Sequence, residues 1–327
     1  MNLPLIAAGL AIAGTVLYAV FGGADFGGGV WDLLATGVRA RAQRELVARA
    51  VAPIWEANHV WLIFVIVVLF VCFPSVYATI GIALHVPLSL MLVGIVLRGA
   101  AFAFRSHDYG SSQRRWDAVF AVSSVVSPLM LGVCVGAIAS GNIRVVDGVV
   151  SGTTAWWAPF PALCGVTALC EFAHLAAAFL VFEAKDERLR RDFQLRAAVS
   201  GLVGLLAVGV CTLAMRSGAP LLWSGLVGLR AAIPLVFLVM LGSTLASASG
   251  RSGLARVLAT ARVVLIVTGW AAAQFPFLVV PDLAIESSAA PEVVLRASLL
   301  VIGAGSLVLV PAFVALYAVF KSRVVAG

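Results

Sequence analysis

Charge is scarce in this chain. Asp, Glu, Lys and Arg make up 11% of its 327 residues, with only 15 acids against 22 bases. Soluble domains carry about a quarter charged residues, so a soluble globular fold is excluded, and the 62% hydrophobic content excludes it again. The apolar runs do not alternate with polar residues, which excludes a membrane β-barrel. Cysteine is sparse. Cys72, Cys134, Cys164, Cys170 and Cys211 all fall in apolar runs and form no C-x-x-C pair, so they read as small buried hydrophobes rather than as a disulfide framework or a zinc site. No Gly-Lys-Ser/Thr follows the glycines at 22, 23, 27, 28 and 29, so they form no phosphate loop and instead permit close helix approach or a local break. A nucleophile elbow, a Cys/His metal cluster, long linkers and low-complexity segments are also missing. The first apolar run is long and has no basic segment before it, unlike a cleavable signal peptide.

What remains is apolar length. A spanning helix takes about 20 apolar residues, and nine runs qualify: 4–24, 57–76, 79–103, 117–139, 156–182, 196–215, 229–248, 257–280 and 294–318. The expected fold is an all-α integral membrane protein of about nine transmembrane helices, a single polytopic domain over 1–327. Basic residues fix an orientation. Arg39, Arg41, Arg44 and Arg49 follow the first run and Arg105, Arg114 and Arg115 the third. Lys185, Arg188, Arg190, Arg191 and Arg196 follow the fifth, Arg251, Arg256 and Arg262 the seventh, and Lys321 and Arg323 the last. The opposite loops hold few bases, so the N-terminus is expected outside and the C-terminus in the cytoplasm. The net charge of +7 is thus an orientation signal and not a nucleic-acid footprint. Trp156, Trp157 and Trp223 fall near the outer boundary, where indole favours the interface.

Ionisable groups within the runs are few and costly, about 2.5–3.5 kcal/mol each on insertion scales. Glu56 opens the second run in Trp55-Glu56-Ala57-Asn58-His59-Val60-Trp61. Counting rise along each helix places Asp25, Glu56 and Arg98 at one depth near the cytoplasmic leaflet, where two acids and one base compensate one another's desolvation. Intramembrane acids are functional by default, which makes Glu56 and Asp25 candidate proton carriers and Arg98 their charge-compensating partner. His59 lies one turn from Glu56, on the same helix face. It suits proton transfer or a satisfied hydrogen bond. Trp55 and Trp61 suit packing or the interface, Asp32 the interface, and His85 packing. Glu171-Phe172-Ala173-His174 has the Glu-x-x-His spacing of di-iron bundles, but the second motif and the further glutamates of such a centre are missing. It reads instead as a mid-membrane relay pair or as a buried Glu–His hydrogen bond.

Several of these segments together resemble one family. Gly22-Gly23-Ala24-Asp25-Phe26-Gly27-Gly28-Gly29, then Pro53-Ile54-Trp55-Glu56-Ala57-Asn58-His59-Val60-Trp61-Leu62-Ile63, then Phe73-Pro74-Ser75-Val76-Tyr77-Ala78, Arg98-Gly99-Ala100-Ala101-Phe102-Ala103-Phe104-Arg105 and Phe275-Pro276-Phe277 in the eighth run resemble subunit II of bacterial cytochrome bd quinol oxidases. The resemblance implies a bacterial cell-membrane complex that oxidises quinol and reduces O₂ to water. Haems b and d and quinol oxidation belong to the partner, subunit I, so this chain is expected to bind no haem or metal itself. Subunit II is expected to stabilise that partner and to line a proton path from the cytoplasm to the oxygen-reducing haem. The family's proton-path carboxylate falls on Glu56, the preceding aromatic on Trp55 and the first-span acid on Asp25. Small accessory subunits, membrane lipid and a structural quinone are further partners that the resemblance allows.

Two departures stand out. Ala103 replaces an acid that some members carry, and Glu171 and His174 stand where apolar residues are expected, so that pair could supply the missing polar step. The rival readings are a stand-alone proton-coupled secondary transporter and a purely structural scaffold.

Overall fold

The computed structural model describes the backbone of residues 2–51, 55–105 and 113–325, with side chains at 51–57, 105–114 and 316–327 outside the description. Trp55 and Glu56 therefore lie outside the described side chains, as do Arg105, Arg114, Lys321 and Arg323.

Helices dominate. α1 (Leu3–Leu33) starts on an Asn2 cap whose side chain accepts from the Leu5 N–H at 3.0 Å, satisfying one of the orphan donors of a helix start. It then runs through the glycine cluster without a break and ends at Leu33 rather than near 24. The segment after it, expected as a basic loop, is α2 (Ala40–Val51). Its Leu46 and Val47 pack on Ala177 and Val181 while Arg41 and Arg49 face outward. α3 (Trp55–Cys72) and α4 (Pro74–Ala83) meet at 118°. Pro74 lacks an N–H and restricts the residue before it, so the helix stops at that point and restarts on the proline. α5 (His85–Arg105) and α6 (Gln113–Ala139) follow.

Beyond α6 the all-α expectation needs an addition. β1 (Arg144–Val146) and β2 (Val149–Ser151) form a hairpin around Asp147 and Gly148, both at positive φ, the geometry for which Asp-Gly is favoured. α7 (Pro159–Glu183) and α8 (Glu187–Gly218) come next. α9 (Pro220–Gly228) and α10 (Ala232–Ala248) are bent by 86°. α11 (Ser252–Gln274) ends before Phe275-Pro276-Phe277. Those residues therefore leave the eighth run, contrary to expectation, and Phe277 opens a second hairpin, β3 (Phe277–Val279) with β4 (Leu283–Ala284). α12 (Glu292–Val325) closes the chain.

Among the described residues seven helices are long and apolar enough to cross a membrane, and nine spans result if each bent pair counts as one. The two central helices are α1 and α7. α7 packs on α1, α6, α8 and α11, whereas α12 touches mainly α1 and α3. The seam between α1 and α7 is closed by Trp31, whose indole N–H donates to the Ala173 carbonyl at 2.7 Å. Gly27 makes the seam possible, because a Cβ there would overlap the Phe172 carbonyl.

The two ends of the bundle carry separate tethers. At one end Arg39 pairs with Asp192 at 2.6 Å, Arg196 bonds the Leu34 carbonyl and Gln43, and Gly250 approaches Gln194. The basic loops before α2, before α8 and before α11 thus share that end. At the other end Asn2 bonds Glu286, and Arg144 of the first hairpin pairs with Asp282 of the second at 2.8 Å.

Two outcomes follow. Gly27→Ala is expected to destabilise the assembled protein by about 1–3 kcal/mol through overpacking. Gly9→Ala, whose Cβ would meet nothing within 4 Å, should be neutral or slightly stabilising. Paired melting curves in detergent would check the contrast. The second outcome concerns pH. Arg144 and the Val145 N–H hold the Asp282 carboxyl below the ordinary carboxylate value. A group depressed on folding contributes stability that is complete above its unfolded pKa and fades as pH falls through the folded one. The protection factor of the Val145 amide should therefore stay level from neutral pH to the ordinary carboxylate range near 4 and fall only below it.

Candidate functional site

The polar interior rests on two buried arginines. Arg98 of α5 is 2% exposed and meets Asp25 of α1, 4% exposed, in a two-pronged pair. Nη1 donates to Oδ2 at 2.6 Å and Nη2 to Oδ1 at 2.7 Å, while Nη2 also reaches the Asp25 carbonyl at 3.0 Å. Nε donates to the Ser124 hydroxyl at 3.0 Å, and that hydroxyl in turn donates a hydrogen bond to the Phe120 carbonyl at 2.7 Å. The Phe26 and Phe120 ring centres lie 5.2 Å and 4.9 Å from the guanidinium carbon, two cation–π contacts on a buried charge. The expected pairing of Arg98 with an acid of the first helix is therefore present.

The second arginine was missed in the sequence. By sequence Arg262 falls among the loop bases after the seventh run. It lies inside α11 with no exposed surface and pairs with Glu171 of α7, Nε to Oε2 at 2.6 Å and Nη2 to Oε1 at 2.5 Å. The available signal was its position within the apolar run 257–280, since a guanidinium that cannot snorkel needs an acid opposite. Gly204 of α8 leaves room for the pair, because a Cβ there would lie 2.6 Å from both Arg262 Nη2 and Glu171 Oε1.

The Glu171–His174 hydrogen bond that the spacing allowed is not formed. His174 turns away to α8 and α10, with Nδ1 2.9 Å from the Ala197 carbonyl and Nε2 2.7 Å from the Ser243 hydroxyl. A carbonyl only accepts, so Nδ1 carries the proton, and in the neutral ring Nε2 accepts from Ser243. The side chain thereby ties three helices together.

Depth changes as well. Gly23 and Gly27 both face Phe172 across the seam, which brings Asp25 to within about one helical turn of Glu171's level. The reason is the unbroken α1, whose extension to Leu33 puts Asp25 well inside the helix. Asp32, expected at an interface, is 3% exposed. His85 is exposed at the start of α5, bonding the Ile82 carbonyl at 2.9 Å, where packing was expected.

Around α3, Asn58 is buried and its amide N–H donates to the Phe21 carbonyl at 3.3 Å. His59 stands between Tyr18 and Phe26, 6.1 Å and 6.2 Å between ring centres. The first turn of α3 is thus brought beside the Asp25–Arg98 pair through His59 and Phe26. Among the described residues no three His, Cys, Asp or Glu side chains gather to hold a metal.

Fold and interior together define a polytopic α-helical membrane protein whose buried arginines are each paired with an acid. The chain belongs to the cytochrome bd terminal oxidase subunit II family, whose profile it matches over residues 3–320. It is 22% identical to a Bacillus subtilis protein provisionally described as a cytochrome bd menaquinol oxidase subunit II, over 94% of this chain and 93% of that one. It is 32% identical to cytochrome bd-I ubiquinol oxidase subunit 2 of Escherichia coli strain K12, over 38% of this chain and 32% of the relative. In fold it resembles the bd oxidase structure from Geobacillus thermodenitrificans, with a TM-score of 0.77, 20% identity, and coverage of 98% of this chain and 99% of that one. The protein is accordingly a multi-pass subunit of a quinol oxidase complex in the bacterial cytoplasmic membrane. Family membership displaces the stand-alone transporter reading.

Breaking a buried ion pair by removing one partner costs about 3–5 kcal/mol, whereas replacing both partners by apolar groups is often neutral. Arg262→Met is therefore expected to lower the melting temperature sharply, and Glu171→Leu combined with Arg262→Met to recover most of the loss. Melting of the detergent-solubilised complex would read both.

Proposed function

We propose that this subunit stabilises the haem-bearing subunit I and lines a proton path from the cytoplasm toward the oxygen-reducing haem, with Glu56 as the principal relay. The observation that carries this reading is the packing of the acid-bearing motif on α1, Asn58 on the Phe21 carbonyl and His59 beside Phe26, whose ring covers the Arg98 guanidinium of the buried Asp25–Arg98 pair. A route inward from the first turn of α3 runs past a fixed positive group and avoids lipid.

Asp25 is the tuning group of that path. Both of its carboxylate oxygens are engaged by Arg98, so it sets the local field rather than handing protons on. His59 extends the polar lane, and Trp55 belongs to the same motif by sequence. Glu171 and His174 stand outside the path. Glu171 has both oxygens on Arg262, and the Nδ1 proton of His174 ends on a carbonyl that cannot pass it further.

The basic end of the bundle faces the cytoplasm under the positive-inside rule, which places the N-terminus outside and the C-terminus inside. Haems b and d reside in subunit I, and quinol is the substrate of the assembled complex. The whole chain acts as one polytopic domain, with lipid and accessory subunits covering the apolar faces that subunit I leaves open.

Glu56→Gln tests the relay against the scaffold reading. Assembly and haem content should persist while oxygen consumption falls by about 100-fold or more, the contribution typical of a positioned proton-transfer group. Oxygen consumption at the unmutated rate would leave only the scaffold role.

A further inference from the structure

Two polar atoms at the seam between α1 and α3 are buried without a partner among the described residues. Tyr18 is 3% exposed and its Oη makes no hydrogen bond. Asn58 is 1% exposed, and its Oδ1 is left over after Nδ2 bonds the Phe21 carbonyl. An unsatisfied buried hydroxyl or amide costs about 1–3 kcal/mol, and native interiors answer such a cost with ordered water.

The surroundings suit water. Tyr18 and Phe21 share one face of α1, one turn apart, and Asn58 and His59 meet that face from α3. The Tyr18 ring lies against Gly22, where any Cβ would come within 3.0 Å of it, so the glycine makes room for the phenol. Its neighbours are His59 at 6.1 Å and Phe26 at 6.5 Å between ring centres, and Phe26 in turn covers the Arg98 guanidinium. A hydroxyl donor and an amide acceptor on facing helices, beside a histidine and a buried ion pair, offer one or two waters the several partners that a buried water needs.

We propose that Tyr18 and Asn58 hold internal water at the α1–α3 seam, that this water is a segment of the proton route, and that Tyr18 is its positioning residue. The inference rests on the proton-path reading above and deepens it by naming the carrier beyond the first turn of α3. A proton crosses by exchange along the water, each oxygen accepting one hydrogen and releasing another, so nothing is oxidised and no net charge stays behind.

Tyr18→Phe removes a single oxygen and keeps the ring. In the intact oxidase complex the haem spectrum should be unchanged, oxygen consumption should fall by about tenfold, the rate equivalent of losing one hydrogen bond, and the H₂O/D₂O rate ratio should rise. A map of the unmutated complex that shows water should place density within hydrogen-bond distance of Tyr18 Oη, and the variant should lose it. An unmutated rate and isotope ratio with a raised melting temperature would overturn the proposal, because that is what deleting a truly unpaired hydroxyl does. A map with no water at Tyr18 Oη would overturn it too. Glu56→Gln measured alongside separates the two readings: if it slows turnover and Tyr18→Phe does not, only this inference fails, and if neither slows turnover, both fail.

Discussion

A guanidinium taken out of water must find a carboxylate and enough acceptors, or the helix that carries it will not stay in the bundle. That constraint organises this protein. Arg98 meets it through Asp25, the Asp25 carbonyl and Ser124, with two phenylalanine rings over its faces. Arg262 meets the carboxylate half of it through both oxygens of Glu171, while its Nη1 is buried without an acceptor among the described residues. The first network ties α1, α5 and α6. The second ties α7 to α11, and His174 adds α8 and α10 to the same group. Each half of the bundle is therefore held around one buried arginine, and the halves meet where α1 and α6 lie against α7.

Close approach is what lets the pairs form. Salt bridges reach only a few ångströms, so the helices bearing them must touch along their backbones. Gly27 admits the Phe172 carbonyl and Gly204 admits the Glu171–Arg262 pair. Lipid supplies no hydrophobic drive for helices to associate, and small residues and polar contacts carry that work instead. Among the described residues the interior gathers no three His, Cys, Asp or Glu side chains to hold a metal.

The fold was largely legible in composition and spacing. Nine apolar runs anticipated the seven spanning helices and two bent pairs, and the alternation of arginines anticipated that the basic segments before α2, α8 and α11 share one end, as the Arg39–Asp192 pair and the Gly250–Gln194 approach require. Part of what was missed was still visible. Asp147-Gly148 between two valine pairs is a hairpin signal, and Pro74 marks the bend between α3 and α4. Other features were out of reach. The glycine cluster could equally have broken α1, and only packing against α7 decided that the helix continues to Leu33. The Glu171–His174 spacing puts both groups on one helix face, but a shared face does not make a hydrogen bond when Arg262 and Ser243 offer better partners from other helices.

The sequence by itself determined class, span number, the polarity of the loops and the identity of the scarce charged residues, because each follows from local composition and from the cost of putting charge in lipid. Tertiary structure alone decided which charges meet. Pairing depends on the relative depth and rotation of helices far apart in the chain, such as α7 and α11, and no local pattern encodes either. For that reason Asp25 and Glu171, read from the sequence as proton carriers, emerge with every carboxylate oxygen already taken by an arginine.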